Sequence, residues 1–254
     1  MYNLDNYGFF LRGLQDAGYE FCFFDEIKKI LPRESRCLLR HDVDVDVGAA
    51  FQLAKVEMSL GVHSTFFLML RSPVYNLMAR HNHQAVLEIL AMGHNIGLHY
   101  DAGFFIDNKP SHELNINQQA EWLEKEFDVK VHAVSFHQPG LDVLNGLVKT
   151  GLRVNTYDKV RLANFAYFSD SNRTLKLSAG SWQPSIDPIN ISDLHKQNIQ
   201  LLIHPMWWVY DSSSVENVWN RAIANNFEMF QQQMIATERA YGQKRSIFFI
   251  KANE

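Results

Sequence analysis

A few short polar clusters hold the residue types in this chain that can do chemistry. They are His41-Asp42-Val43-Asp44, Arg71, His99-Tyr100-Asp101, His137-Gln138-Pro139, Tyr157-Asp158 and His204-Pro205-Met206-Trp207-Trp208. Imidazole and carboxylate together suit proton transfer, metal ligation or both. The chain has 2 cysteines, Cys22 and Cys37, and 11 histidines. Two cysteines make neither a disulfide framework nor a thiolate zinc site. A metal in this chain must therefore be held by imidazole and carboxylate. Asp42 and Asp44 are two residues apart, which on an extended strand turns both side chains to one side. That arrangement suits one metal ligand beside one base.

Each cluster also has a plainer reading. Asp42 and Asp44 could cap the helix expected from Val47. His99 and His204 could be buried histidines satisfied by backbone, and Trp207 and Trp208 could be core or interface residues. His94 reads as structural or as support for a ligand. His81, His83, His112, His132 and His195 fall in predicted helices, at their ends or early in a strand, and read as solvated.

The elements that must position these clusters alternate along the chain. Apolar strands are expected at Cys37-Leu38-Leu39, Thr65 to Leu70, Ile96 to Tyr100, Val129 to Phe136, Leu152 to Thr156 and Ile199 to Ile203. Helical spacing appears in Tyr7 to Leu14, Val47 to Met58, Ala85 to Leu90, Glu113 to Phe127, Leu141 to Thr150 and Val215 to Tyr241. Gly18, Gly61, Gly93 and Gly151 stand where helices should stop. A further strand is read at Ser246 to Ile250 and a hairpin near Thr174 to Leu177, while residues 157–190 fit the alternation worst. Roughly seven β-then-α units imply parallel strands with crossover helices. The expectation is one α/β domain over residues 1–254, a distorted (β/α) barrel with about seven parallel strands. The polar clusters each follow an apolar strand, and strand C-termini in such folds converge on one face. Residues distant in sequence are thereby predicted to meet.

Composition narrows the function. The 254 residues are 46% hydrophobic and 20% charged, a globular rather than disordered balance. A net charge of -4 argues against a nucleic-acid partner. No run of eighteen apolar residues and no basic leader with an apolar stretch is present, so no membrane insertion and a cytoplasmic location are expected.

The order of motifs resembles the polysaccharide deacetylase family of carbohydrate esterases, and more narrowly the branch found in surface-polysaccharide and O-antigen gene clusters. The resemblance runs from about Leu38 to Trp208. Asp42-Val43-Asp44 is similar to the family's paired aspartates, one a base and one a metal ligand. Ser64-Thr65-Phe66-Phe67 is similar to its second strand, and Gly93-His94-Asn95-Ile96-Gly97-Leu98-His99 to the stretch entering its metal histidines. His137-Gln138-Pro139-Gly140 sits where the family has an Arg-x-Pro-x-Gly motif. Leu202-Ile203-His204-Pro205 is similar to the last motif, whose histidine is the general acid.

Two positions depart from the pattern. The second metal histidine, four residues after the first, is Gly103 here, and the motif arginine is His137. One reconciliation gives Asp44, His99 and His137 as ligands of a divalent metal such as zinc. Asp101 is the competing ligand and otherwise a substrate contact, and loss of metal binding is the third outcome. The resemblance implies hydrolysis of an N-acetyl or N-formyl group on an amino sugar, nucleotide sugar or polysaccharide intermediate. Asp42 would be the base and His204 the acid, with Asp170 or Asp158 orienting His204. Tyr100, Trp182, Trp207 and Trp208 would wall a sugar ring, and Arg71 would hold an anionic group. The alternatives are a metal-free, non-catalytic carbohydrate-binding relative and a metal-dependent hydrolase of another bond.

Overall fold

The computed structural model describes residues 2–104, 111–171, 176–177, 197–210 and 214–243. The expectations for Trp182, His195 and a strand at Ser246 to Ile250 fall outside the described residues. The helices are α1 (Leu4–Asp16), α2 (Val47–Ser59), α3 (Arg80–Ala91), α4 (His112–Phe127), α5 (Leu141–Leu144), α6 (Pro205–Val209), α7 (Val215–Thr237) and α8 (Arg239–Gln243). The strands are β1 (Glu20–Phe21), β2 (Arg36–Val43), β3 (Thr65–Leu68), β4 (Asn95–Asp101), β5 (Ala133–His137), β6 (Val154–Asn155), β7 (Phe165–Ser169), β8 (Lys176–Leu177) and β9 (Asn198–Ile203).

Seven strands form a parallel path in the order β6-β5-β4-β3-β2-β9-β7, with β8 antiparallel on the β7 edge and β1 beside the start of β2. The sheet curls into a half-barrel, as the alternation of strands and helices requires. Its two ends approach each other without strand pairing among the described residues. Gln200 Nε2 donates to Thr156 O across the gap at 3.0 Å, and the Tyr157 and Tyr167 rings lie 6.4 Å apart.

Strand alternation divides the side chains between three cores. Val43, Phe66, Leu68, Ile96, Leu98, Tyr100, Val134 and Phe136 point outward onto α2, α3 and α4. Cys37, Leu39, Ile199, Leu201 and Ile203 point outward onto α1, α6 and α7. The interior holds Leu38, Phe67 and Ala133 with Phe24 and Ile27 from the short 3₁₀ turn at Phe24–Lys29. Gly97 is required by this interior, because a Cβ there would stand 2.5 Å from the Phe67 ring. Gly61 and Gly93 close α2 and α3 at φ of 66° and 87°.

Some boundaries differ from the sequence expectation. α5 is a single turn rather than a helix to Thr150, and the long C-terminal helix breaks at Glu238, whose backbone is extended. β7 lies in the stretch that fitted the alternation worst. It is short and half aromatic, and it becomes a strand by pairing with β9 from Phe165 to Ser169.

His41 also obeys the alternation. It points away from the aspartates, stacks on Phe66 at 4.4 Å, and places Nε2 2.7 Å from Glu57 Oε1. Tyr7 and Ser64 donate to the same carboxylate, and His94 Nδ1 lies 3.5 Å from it. Burial alone would raise the Glu57 carboxyl; the His41 charge and hydrogen bond outweigh burial and hold it low. His94 is thus a structural residue in a buried network joining α1, α2, β2 and the approaches to β3 and β4.

Candidate active site

The C-terminal ends of β2, β4, β5 and β9 bring the predicted residues to one place. Asp42 ends the inward series of β2, and Asp44 follows in the turn. Asp46, rather than either of them, caps α2 by accepting from Gly48 N at 2.7 Å. Asp42 and Asp44 are therefore left to the site. Asp44 Oδ1 lies 2.9 Å from His99 Nε2 and 3.1 Å from His137 Nδ1. One ligand atom from each of Asp44, His99 and His137 lies within 4.8 Å of the other two. Asp101 is outside this group, and its Oδ1 accepts from Gly103 N at 2.8 Å in the turn after β4. Gln138, directly after His137, has a φ of 43°, a left-handed conformation uncommon outside glycine.

Asp42 stands beside the group with its two oxygens differently employed. Oδ2 accepts from Ser135 Oγ at 2.8 Å and from Arg40 Nη2 at 3.3 Å. Oδ1 has no hydrogen-bond partner among the described residues. Arg40 is buried, donates to the Tyr157 hydroxyl at 3.0 Å and lies over the Tyr157 ring at 5.0 Å. Burial alone would lower the guanidinium pKa; the charges and hydrogen bond of Asp42, Tyr157 and Tyr167 outweigh it and raise it.

Ser135 also fixes the state of His99, whose Nδ1 is 3.1 Å from the Ser135 oxygen. The Ser135 hydroxyl proton is committed to Asp42, so His99 carries its own proton on Nδ1. Nε2 then faces Asp44 Oδ1 at 2.9 Å, a distance at which the two share a proton or a cation. The donor set therefore fits a divalent metal held by Asp44, His99 and His137. For Asp44, burial alone would raise the carboxyl, but hydrogen bonds from His137 and His99 and the charge of His204 hold it far below the usual range. The bond to Asp44 in turn raises His137 against its burial.

His204 enters from the opposite side, at the end of β9. Its Nε2 is 3.8 Å from Asp44 Oδ2. Its Nδ1 is 2.7 Å from Asp170 Oδ1, and Asp170 also accepts from the His204 backbone N and from Trp208 Nε1 at 2.9 Å. Asp158 is occupied elsewhere, accepting from Val160 N and Arg161 N. Burial alone would lower His204; the charge and hydrogen bond of Asp170, with Asp44 and Asp42, raise it to about 9. The stabilisation from this pair is complete below the free imidazole value and is lost as pH rises through about 9. In metal-free protein, Asp170→Asn should lower His204 from about 9, because the two largest effects opposing burial are lost and only the charges of Asp44 and Asp42 still raise it. An imidazole NMR titration reads this directly, and an unmoved His204 would remove Asp170 from the role.

The predicted substrate walls are placed differently. Tyr100 follows His99 in β4 and so faces outward, where it is 1% exposed and its hydroxyl pairs with His112. Trp207 and Trp208 are 4% and 5% exposed in the outer core. Trp208 packs against Tyr2 and Tyr7, with centroids at 4.5 and 5.3 Å. These three offer no face to a ligand. Arg71 stays at the rim, its guanidinium 4.4 Å from the Phe104 ring centroid. Ser135 and Arg40 were not singled out as site residues from sequence. Both share the inward parity, Arg40 two before Asp42 and Ser135 two before His137, and that parity was the available signal.

No protein-family model matches the chain, and no curated protein matches it. Several solved structures are matched at low identity and a TM-score below 0.5. A CE4 family pseudoenzyme from Bacillus anthracis is 14% identical, with a TM-score of 0.40, over 76% of this chain and 60% of that one. The chitin deacetylase of Colletotrichum lindemuthianum is 14% identical, with a TM-score of 0.43, over 75% and 81%. The Bacillus subtilis peptidoglycan deacetylase PdaC, as a D285S mutant, is 14% identical, with a TM-score of 0.41, over 80% and 95%. Among the described residues, no helix is long and apolar enough to cross a membrane.

Proposed function

We propose that this chain is a metal-dependent hydrolase that removes an N-acyl group, acetyl or formyl, from an amino sugar within a saccharide or sugar nucleotide. The observation that supports it is the convergence of Asp44, His99 and His137, with Asp42 on one flank and a charged His204 on the other. When bound, a divalent ion such as zinc polarises an amide carbonyl and lowers the pKa of an adjacent water. Arg40 and Ser135 hold Asp42 Oδ2 and leave Oδ1 to accept the proton of the attacking water. His204, kept protonated by Asp170, donates from Nε2 to the departing amine, which leaves poorly as an anion.

The test is amine release from N-acetylated oligosaccharides and N-acyl nucleotide sugars by zinc-loaded protein. Turnover with one of them is expected. A fully metal-loaded protein that hydrolyses none would overturn the reading. A protein that takes up no metal yet binds saccharide would be the non-catalytic relative instead.

A further inference from the structure

α7 carries an apolar ridge on its outer face. Of its 23 residues, only Val218 and Ala222 are buried. Ile223, Phe227 and Phe230 are 50%, 59% and 54% exposed, and the half-buried Met234 continues their line. The four are spaced i, i+4, i+7 and i+11, the period of a helix-pairing seam. The Phe227 and Phe230 rings stack with centroids 6.4 Å apart. Single exposed apolar side chains are ordinary, but a contiguous line of them marks a contact surface.

Beside the ridge runs a groove of about 810 Å³. Ile223, Phe227 and Phe230 stand on one wall, and Pro73, Val74 and Ala79 on the other. Among the described residues, no Asp, Glu, Lys or Arg lines it, in a chain that is 20% charged. Beyond the first turn of α7, its charged residues are Arg221 and Glu228. Both lie more than about 120° around the helix from the ridge. An ionic partner or a charged headgroup would find no counter-charge here. The two walls also grip the turn that bears Asp44. The Tyr75 hydroxyl donates to Val43 O at 2.9 Å, and Asn226 Nδ2 donates to Val45 O at 2.7 Å. Tyr75 and Asn226 both line the groove.

A ridge beside a groove of the same apolar character is complementary to its own copy. Under a two-fold rotation each ridge enters the other's groove, the reciprocal contact of an isologous interface. Uncharged faces meet in this way without setting like charges against each other. With the axis between Phe227 and Phe230, the two α7 helices run antiparallel, and their macrodipoles oppose favourably. We propose that this face joins two copies of the chain into a dimer through α7. The proposal goes beyond the hydrolase reading and does not depend on it. It sets the turn that bears Asp44 directly behind the interface.

The test is sedimentation equilibrium of the full chain across a concentration series. The mass should rise from one chain toward two. Phe227→Glu and Phe230→Glu should each raise the dimer dissociation constant by at least about thirtyfold, the loss expected of an interface anchor. Both side chains are more than half exposed, so the circular dichroism of each variant should match wild type. Phe227→Leu should keep most of the dimer, and Ile223→Gln, a milder change on the same ridge, should weaken it. A monomer at every concentration overturns the proposal, as does a dimer unmoved by both glutamate variants. A monomer that dimerises only once residues 244–254 are removed overturns it too, and gives the groove to the chain's own end. A monomer that carries a neutral hydrocarbon in native mass spectrometry overturns it in favour of a ligand.

Discussion

Asp42→Asn should lower kcat by about 10²- to 10⁴-fold, the usual worth of a positioned general base, and leave the metal bound. An asparagine can still accept the bonds from Ser135 and Arg40, so the shape of the site survives. It cannot take a proton at the position of Oδ1, the oxygen without a protein partner. The substitution also leaves the Arg40 charge uncompensated in a buried setting. Breaking a buried pair in this way costs about 3–5 kcal/mol, so the melting temperature should fall too. Assays at a temperature where the variant remains folded separate the two effects. Full activity in a folded Asp42→Asn protein would take the base role away from this residue.

The second large effect is expected at Asp44. Asp44→Ala should remove bound metal altogether, from one ion per chain to none measured by elemental analysis. Asp44 is the group that His99, His137 and His204 share. Without it the three imidazoles lose the carboxylate they share, and Asp42 and Asp170 remain only beside His99 and His204. His137 should lose its raised pKa, since the Asp44 hydrogen bond is the main cause of it. Metal-dependent stabilisation should vanish as well. For wild type at a free metal concentration 100 times the dissociation constant, that stabilisation is about 2.7 kcal/mol. A variant that keeps stoichiometric metal would show that the ion is held elsewhere.

What the sequence made legible is the parity of the strands. Apolar runs ending in polar clusters located β2, β4, β5 and β9, and period-two spacing placed Asp42 with Asp44. Asp170 could not be separated from Asp158, because the choice depends on how β7 lies against β9. β7 itself has no long apolar run and takes its identity from that neighbour. The tryptophans were ambiguous for a related reason. A Trp beside a polar cluster is equally at home on a rim or beneath it, and here α1 packs on Trp208 and α7 on Trp207. Tyr100 is the opposite case. The rule that placed His99 inside already places the next residue outside.

The same parity makes the strands behave like a reading frame. Each of β2, β4 and β5 alternates between side chains for the site and side chains for the helix layer. Removing one residue from the body of β2 would set His41 and Val43 where Arg40 and Asp42 now point, and drive a carboxylate and a guanidinium under α2. A one-residue loss in β4 exchanges His99 for a neighbour in the same way. Length changes within these strands thus erase the chemistry and load the core with charge in one event. The connections between strands can change length without altering this parity, except at the residues directly after β2, β7 and β9, where Asp44, Asp170 and His204 stand.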